Sequence, residues 1–305
     1  MKGSMIPDGV SILEPPQADT EQWQAARAPL VVRSFGLTDR GKVRERNEDQ
    51  FLIATLVKAL QVEQTSLPLP KVQHSSDRSY LFVVADGMGG HAGGDKASAL
   101  AIESVEDFML ETFKWFFQFK GREEDRLLNE FQSALGQANA RVLSEAAEHP
   151  ELHGMGTTLT MAYGLNNDLF VAHVGDSRCY LVRDQSLHRL TSDHTLVEEM
   201  VRRGAIPEKD AAHHHWRHVI TNVVGRDSSE VQVEVHKVHL QAGDRILLCS
   251  DGLTEMVSEE AIGRVLSGEA SPEGACKELL AQANQAGGRD NITIIVAAYE
   301  ETRAG

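Results

Sequence analysis

The sequence predicts an α+β fold: a four-layer α-β-β-α sandwich in which two antiparallel β-sheets face each other and a helix pair covers each sheet from outside. Three observations lead there. The elements run as strands, two long helices, many strands, two helices and a final strand, which is not the strict alternation of a doubly wound fold. The strand-like runs between residues 157 and 190 follow one another closely and are joined by Asn166-Asn167-Asp168 and Asp184-Gln185, residues that favour hairpin turns. The chain shows no internal repeat or low-complexity tract that would indicate a solenoid.

Each element has its own signal. Residues 1–30 contain Pro7, Pro15, Pro16 and Pro29 and read as an irregular N-terminal extension. The folded domain is expected over 31–301, with strands starting at Val31–Phe35 and Phe51–Ala54. Residues 57–79, with Pro68, Pro70, Ser75, Ser76 and Asp77, read as a long loop insertion, beyond the ~12–15 residues usual for a structureless connection. Tyr80–Ala85 is an apolar strand. Ala97, Leu100, Ala101, Val105, Phe108 and Met109 recur at helical spacing between Ala92 and Phe119, where the aromatic cluster Phe113, Trp115, Phe116, Phe117 and Phe119 is expected to pack on a sheet. A second amphipathic helix covers about Glu123–Glu148, ahead of Pro150. Strands follow at Thr157–Tyr163, Leu169–Val174, Arg178–Arg183 and His188–Leu190, then a short helix at Leu196–Arg203. Strands at Val231–His239 and Arg245–Cys249, helices at Ser258–Leu266 and Pro272–Ala286, and a strand at Ile292–Tyr299 complete the domain.

The 305-residue chain carries a net charge of -15, which argues against non-specific binding to nucleic acid or anionic membrane, since both require basic patches. Cys179, Cys249 and Cys276 are an odd set without paired spacing, so neither a disulfide framework nor a zinc site is expected, and a reducing compartment follows. No apolar stretch reaches the roughly 18 residues of a membrane span, and the N-terminus has no signal core. The expectation is a cytoplasmic protein without a membrane span.

The chemistry lies in acidic residues placed at the ends of apolar runs beside Gly or Asn: Asn47-Glu48-Asp49, Asp86-Gly87-Met88-Gly89-Gly90, Gly175-Asp176-Ser177-Arg178, Ser250-Asp251-Gly252 and Arg289-Asp290-Asn291. A single Asp-Gly is a turn in most proteins. Five such sites beside strands converge once the strands share a core, and clustered carboxylates repel unless cations separate them. Oxygen-only ligation selects hard ions, Mg²⁺ or Mn²⁺. The glycines after Asp86 allow a tight turn that exposes a carbonyl as a further ligand. Arg44 supplies a planar donor fork suited to phosphate.

These motifs, with Thr38–Arg44, Gly156-Thr157-Thr158, Leu190–His194 and His218–Thr221, resemble in their order the metal-dependent protein serine/threonine phosphatases of type 2C, the PPM family, and in particular its bacterial branch. The resemblance covers about Phe35–Tyr299. It implies that Asp86 bridges two Mg²⁺ or Mn²⁺ ions, that the Gly87 carbonyl with Glu48 and Asp49 serves one, and that Asp251 and Asp290 serve the other. Asp176, with Asp251, resembles the pair holding a weaker third ion. Arg44 resembles the phosphate-gripping arginine, and residues 196–217 the mobile flap. The implied reaction is in-line attack of water on phosphorus without a phosphoenzyme. Phosphorylated Ser/Thr proteins are the implied substrates, a Ser/Thr kinase the implied opposing partner, and a monomer the expected state. A phosphoprotein-binding regulator without turnover and a phosphatase of small phosphoesters are the alternatives.

Met88 stands where eukaryotic members carry a histidine proposed as general acid, and it has no proton to give. His91 and a water are the two candidates for that duty. The run His213–His218 reads as a solvated or substrate-facing strip around Trp216.

Overall fold

The computed structural model describes residues 30–62, 64, 72–89, 93–112, 124–211, 214–226 and 230–301. The N-terminal extension, the aromatic cluster at 113–119, and Gly90 and His91 lie outside the described residues.

Two antiparallel sheets form the centre. One has the order β1 (Val31–Asp39), β11 (Ile292–Glu300), β10 (Arg245–Cys249), β7 (Arg178–Arg183), β8 (Ser186–Arg189). The other runs β2 (Asp49–Gln61), β3 (Val72–Met88), β5 (Leu159–Leu165), β6 (Asp168–Val174), β9 (Glu234–His239), with β4 (Gly156–Thr157) paired to the end of β3. Every pairing is antiparallel.

The continuous apolar runs are explained by burial on both faces of each sheet. Along β3, Phe82 and Val84 enter the core between the sheets, while Leu81, Val83 and Ala85 pack under α1 (Gly93–Thr112) and α2 (Glu124–Glu148). Along β10, Ile246 and Leu248 face the opposite sheet. Leu247 and Cys249 pack under α6 (Glu259–Gly268) and α7 (Pro272–Gln285). This is the expected four-layer sandwich. The helices start where the sequence offers caps: Ser258 accepts from Ala261 N–H, and Ser271, followed by Pro272, accepts from Gly274 N–H.

The strand limits differ from expectation in two places. The loop expected at 57–79 is mostly strand: β2 continues to Gln61 and β3 begins at Val72, paired across an irregularity between Val57 and Ala59. These residues extend a hairpin whose pairing rests on backbone hydrogen bonds, so their polar composition hid it. The strand expected from Val231 begins at Glu234; Val231 and Val233 pack against the α1/α2 core without pairing.

Three short helices occupy the loops at one end of the sheets: α3 (Leu196–Arg202), α4 (Glu208–Ala211) and α5 (Asp251–Thr254). The first two belong to an excursion whose ends are tied together. Leu196 N–H donates to Val219 O, Thr195 bridges Ile220, and Thr221 N–H donates to His194 O. Among the described residues no helix is long and apolar enough to cross a membrane.

Candidate metal centre

The acidic motifs converge because their strands end at the same edge of the sandwich. Asp49 opens β2 directly opposite Asp86 on β3, in the sheet pairing. Asp251 follows β10 and Asp290 precedes β11, two paired neighbours of the five-stranded sheet. Asp176 sits in the turn between β6 and β7, where the chain crosses from one sheet to the other.

Asp49 spans the gap between the sheets. Its Oδ2 accepts from Ser250 Oγ and Thr293 Oγ1, both at 2.7 Å, while its Oδ1 is sealed from solvent without a hydrogen-bond partner. Asp251 Oδ1 is likewise sealed and unpartnered. Asp86 is held through its backbone: its N–H donates to Thr158 Oγ1 at 3.0 Å and its carbonyl accepts from Thr158 N–H. Gly87 has no room for a side chain, since a Cβ there would lie 2.1 Å from Gly94 O at the start of α1. The Glu48 carboxylate lies against the same helix start: a Cβ on Gly94 would be 2.6 Å from its Oε2. Asn291 fixes the loop carrying Arg44, donating from Nδ2 to Arg40 O and Arg46 O and accepting from Glu48 N–H.

Removal from water and mutual repulsion push these acids up. Asp49 rises to about 6, mainly through burial. Asp176 rises to about 7 through burial and then Asp193, with Arg178 pulling back. Asp86 and Asp251 rise well above the ordinary range, first through burial; Asp49 then adds to Asp86, and Asp176 to Asp251. Arg44 faces the group: its Nη2 donates to Asp290 Oδ2 at 2.6 Å, which raises its own pKa. Orphaned carboxylate oxygens, an all-oxygen donor set and repulsion with little internal compensation fit hard divalent cations.

The family model for protein phosphatase 2C matches residues 69–284. The chain belongs to the protein phosphatase 2C family. The serine/threonine phosphatase stp of Listeria monocytogenes serotype 4b (strain F2365) is 32% identical over 268 residues, 88% of this chain and 96% of that protein. The serine/threonine protein phosphatase PstP of Mycobacterium tuberculosis (strain ATCC 25618 / H37Rv) is 34% identical over 276 residues, 89% of this chain but 46% of that longer protein. The crystal structure of M. tuberculosis PstP/Ppp superposes with a TM-score of 0.71 at 33% identity, covering 89% of this chain and 100% of that one. The catalytic domain of PstP in complex with two manganese ions gives a TM-score of 0.69 at 32% identity, covering 89% and 99%.

In this type 2C phosphatase the structure brings together Glu48, Asp49, Asp86, Gly87, Asp251, Asp290 and Arg44, with Asp176 beside Asp251. Sequence reading did not assign the groups that hold them: Ser250 and Thr293 for Asp49, Thr158 for Asp86, Asn291 for the Arg44 loop. Ser250, Asn291 and Thr293 lie within three residues of an acidic motif, whereas Thr158 meets Asp86 only across 72 residues. Of the histidine strip, His214, His215 and His218 are described; His215 and His218 are exposed, as expected, and His214 half-buried. Trp216 is 47% exposed with His214 packed on its ring.

Proposed function

We propose that this chain is a metal-dependent phosphatase that hydrolyses phosphoserine and phosphothreonine in proteins, opposing a Ser/Thr kinase of the same cell and acting as a monomer. The observation that carries the reading is the buried carboxylate group with two orphaned oxygens, faced by a guanidinium at the edge of the sandwich.

In this reading Asp86, the Gly87 carbonyl, Glu48, Asp49, Asp251 and Asp290 would hold two Mg²⁺ or Mn²⁺ ions. Asp176 with Asp251 would hold a looser third ion. Bound there, the ions supply Lewis-acid charge for the phosphoryl oxygens and acidify water in the site.

The chain's own residues do the rest. Arg44, more than half exposed, exchanges its Asp290 partner for the substrate phosphate, which its fork grips through two parallel hydrogen bonds. That grip orients the phosphorus for in-line attack and stabilises equatorial charge as the bond breaks. Ser250 and Thr293 hold one oxygen of Asp49 and leave the other facing the centre. Cys179, Cys249 and Cys276 are all free and buried, with thiols pushed up by burial, so none serves as a covalent nucleophile. Met88 carries no transferable proton; the leaving oxygen takes its proton from His91 or from water. Residues 196–217, which carry Trp216 and Arg217, act as the flap over the substrate.

The test is turnover of p-nitrophenyl phosphate and of a phosphoserine/phosphothreonine peptide panel with Mn²⁺, with and without chelator. Chelator-sensitive turnover of the peptides is expected. Peptide binding without turnover would replace the enzyme by a binding module, and turnover confined to the small ester would remove the protein substrate.

A further inference from the structure

The excursion touches the catalytic edge at a point that the acidic motifs do not explain. His218 precedes Val219, whose carbonyl accepts from Leu196 N–H, so its backbone belongs to the tied end of the excursion. Its Nδ1 lies 2.6 Å from Glu255 Oε1. Glu255 closes α5, the helix that Asp251 opens, and its N–H donates to Asp251 O. One ligand atom from each of His218, Asp251 and Glu255 lies within 4.8 Å of the others. Asp251 also carries the sealed, unpartnered Oδ1 described above.

We propose that His218, Glu255 and Asp251 form a cation clasp between the excursion and the catalytic centre, one that takes a borderline divalent ion, Zn²⁺ in particular. The proposal rests on the reading of Asp251 as part of the metal centre. An imidazole nitrogen sets this trio apart from the oxygen-only group beside it. Mixed nitrogen and oxygen donors bind Zn²⁺ more tightly than Mn²⁺ or Mg²⁺. Zn²⁺ at about 2.0–2.2 Å from each donor needs the donors roughly 3.3 Å apart in a tetrahedral arrangement. The His218–Glu255 contact is 2.6 Å and all three donors lie within 4.8 Å of one another, close enough to share one ion.

A second trio of this kind, His173, His194 and Glu234, is already satisfied within the protein. His173 uses one ring nitrogen on Thr160 and the other on Ser192 O, and Glu234 accepts from Ser192 N–H and His236. His218 and Glu255 are partly open to solvent, which leaves an entry path for an ion. An ion held there replaces one hydrogen bond by coordination and ties Arg217 and Trp216, one and two residues away, to the catalytic edge.

The experiment titrates Zn²⁺ into the full-length, Mn²⁺-saturated protein and measures both metals by equilibrium dialysis, with tryptophan emission recorded in parallel. The expected result is Zn²⁺ gained without loss of Mn²⁺, together with an emission change that Trp216→Phe abolishes. His218→Gln and Glu255→Gln should each weaken that Zn²⁺ binding at least tenfold and leave the Mn²⁺ content unchanged. Both positions are partly exposed, so circular dichroism should match the wild type. Zn²⁺ that enters only by displacing Mn²⁺, or that binds both variants as tightly as the wild type, overturns the clasp. Turnover of p-nitrophenyl phosphate in the same Mn²⁺ samples judges the phosphatase reading separately: a catalytically silent wild type would sink that reading while the dialysis still decides the clasp.

Discussion

Replacing Asp176 by Asn should stabilise the metal-free protein, although it removes a group placed in the metal centre. Burial, then Asp193, raises the Asp176 carboxyl from 3.8 to about 7. Between those values the folded protein keeps a proton that the unfolded chain has released. Stability of the metal-free protein therefore falls as pH rises from about 4 to about 7 and is level above that, with the full cost present at pH 8. The displacement corresponds to on the order of 4 kcal/mol. Asn has the same shape and no charge to ionise, so Asp176→Asn escapes this cost. For a domain of this size, 4 kcal/mol is about 8 °C or more in Tm. The assay is thermal unfolding of wild type and variant in chelator at pH 5 and pH 8. The variant should be more stable at pH 8, with the gap less than half as large at pH 5. Saturating Mn²⁺ should reverse the order, because the wild type gains more from an ion that binds only the folded state. A variant no more stable than wild type in chelator at pH 8, or a gap independent of pH, would refute the reasoning.

Three other outcomes are expected. Asp86→Asn and Asp251→Asn should each abolish Mn²⁺-dependent turnover while circular dichroism stays native; near-normal activity in either rules out the site assignment. Arg44→Lys keeps the charge but loses the fork, so kcat/KM for a phosphopeptide should fall on the order of 10- to 100-fold, matching the roughly 1.5–3 kcal/mol of a charged hydrogen bond, whereas unchanged kinetics would remove Arg44 from substrate binding. His173 is pushed down to about 4, by burial and then by His194, with Glu234 and Asp193 opposing. The unfolded chain therefore takes up a proton between about 6.5 and 4 that the folded protein refuses, and stability is lost as pH falls through that window. His173→Gln should remove about 2 kcal/mol of the decline between pH 7 and pH 5, read from urea midpoints; equal declines in both proteins would contradict a neutral buried imidazole.

The fold was legible wherever hydrophobic periodicity was strong. Tyr80–Ala85, Leu169–Val174 and Ile292–Tyr299 announce strands buried on both faces, and the spacing of Ala97, Leu100, Ala101 and Val105 announces a helix. The strand ends at Val57–Gln61 and Val72–Ser79 carry no such signal, because a long hairpin arm is held by backbone hydrogen bonds, which leave no hydrophobic signature.

The sequence by itself determined the layered architecture, the carboxylates that carry the chemistry and the preference of an all-oxygen donor set for hard cations, because each follows from local patterning or from side-chain type. Only the tertiary structure decided how those carboxylates are held and charged. Ser250 and Thr293 reach Asp49 across 201 and 244 residues, and the orphaned oxygens of Asp49 and Asp251 exist only once two sheets close on one another. The pairing of His218 with Glu255 is of the same kind: it depends on where a tied loop returns to the sheet edge, a distance in space that spacing along the chain does not encode.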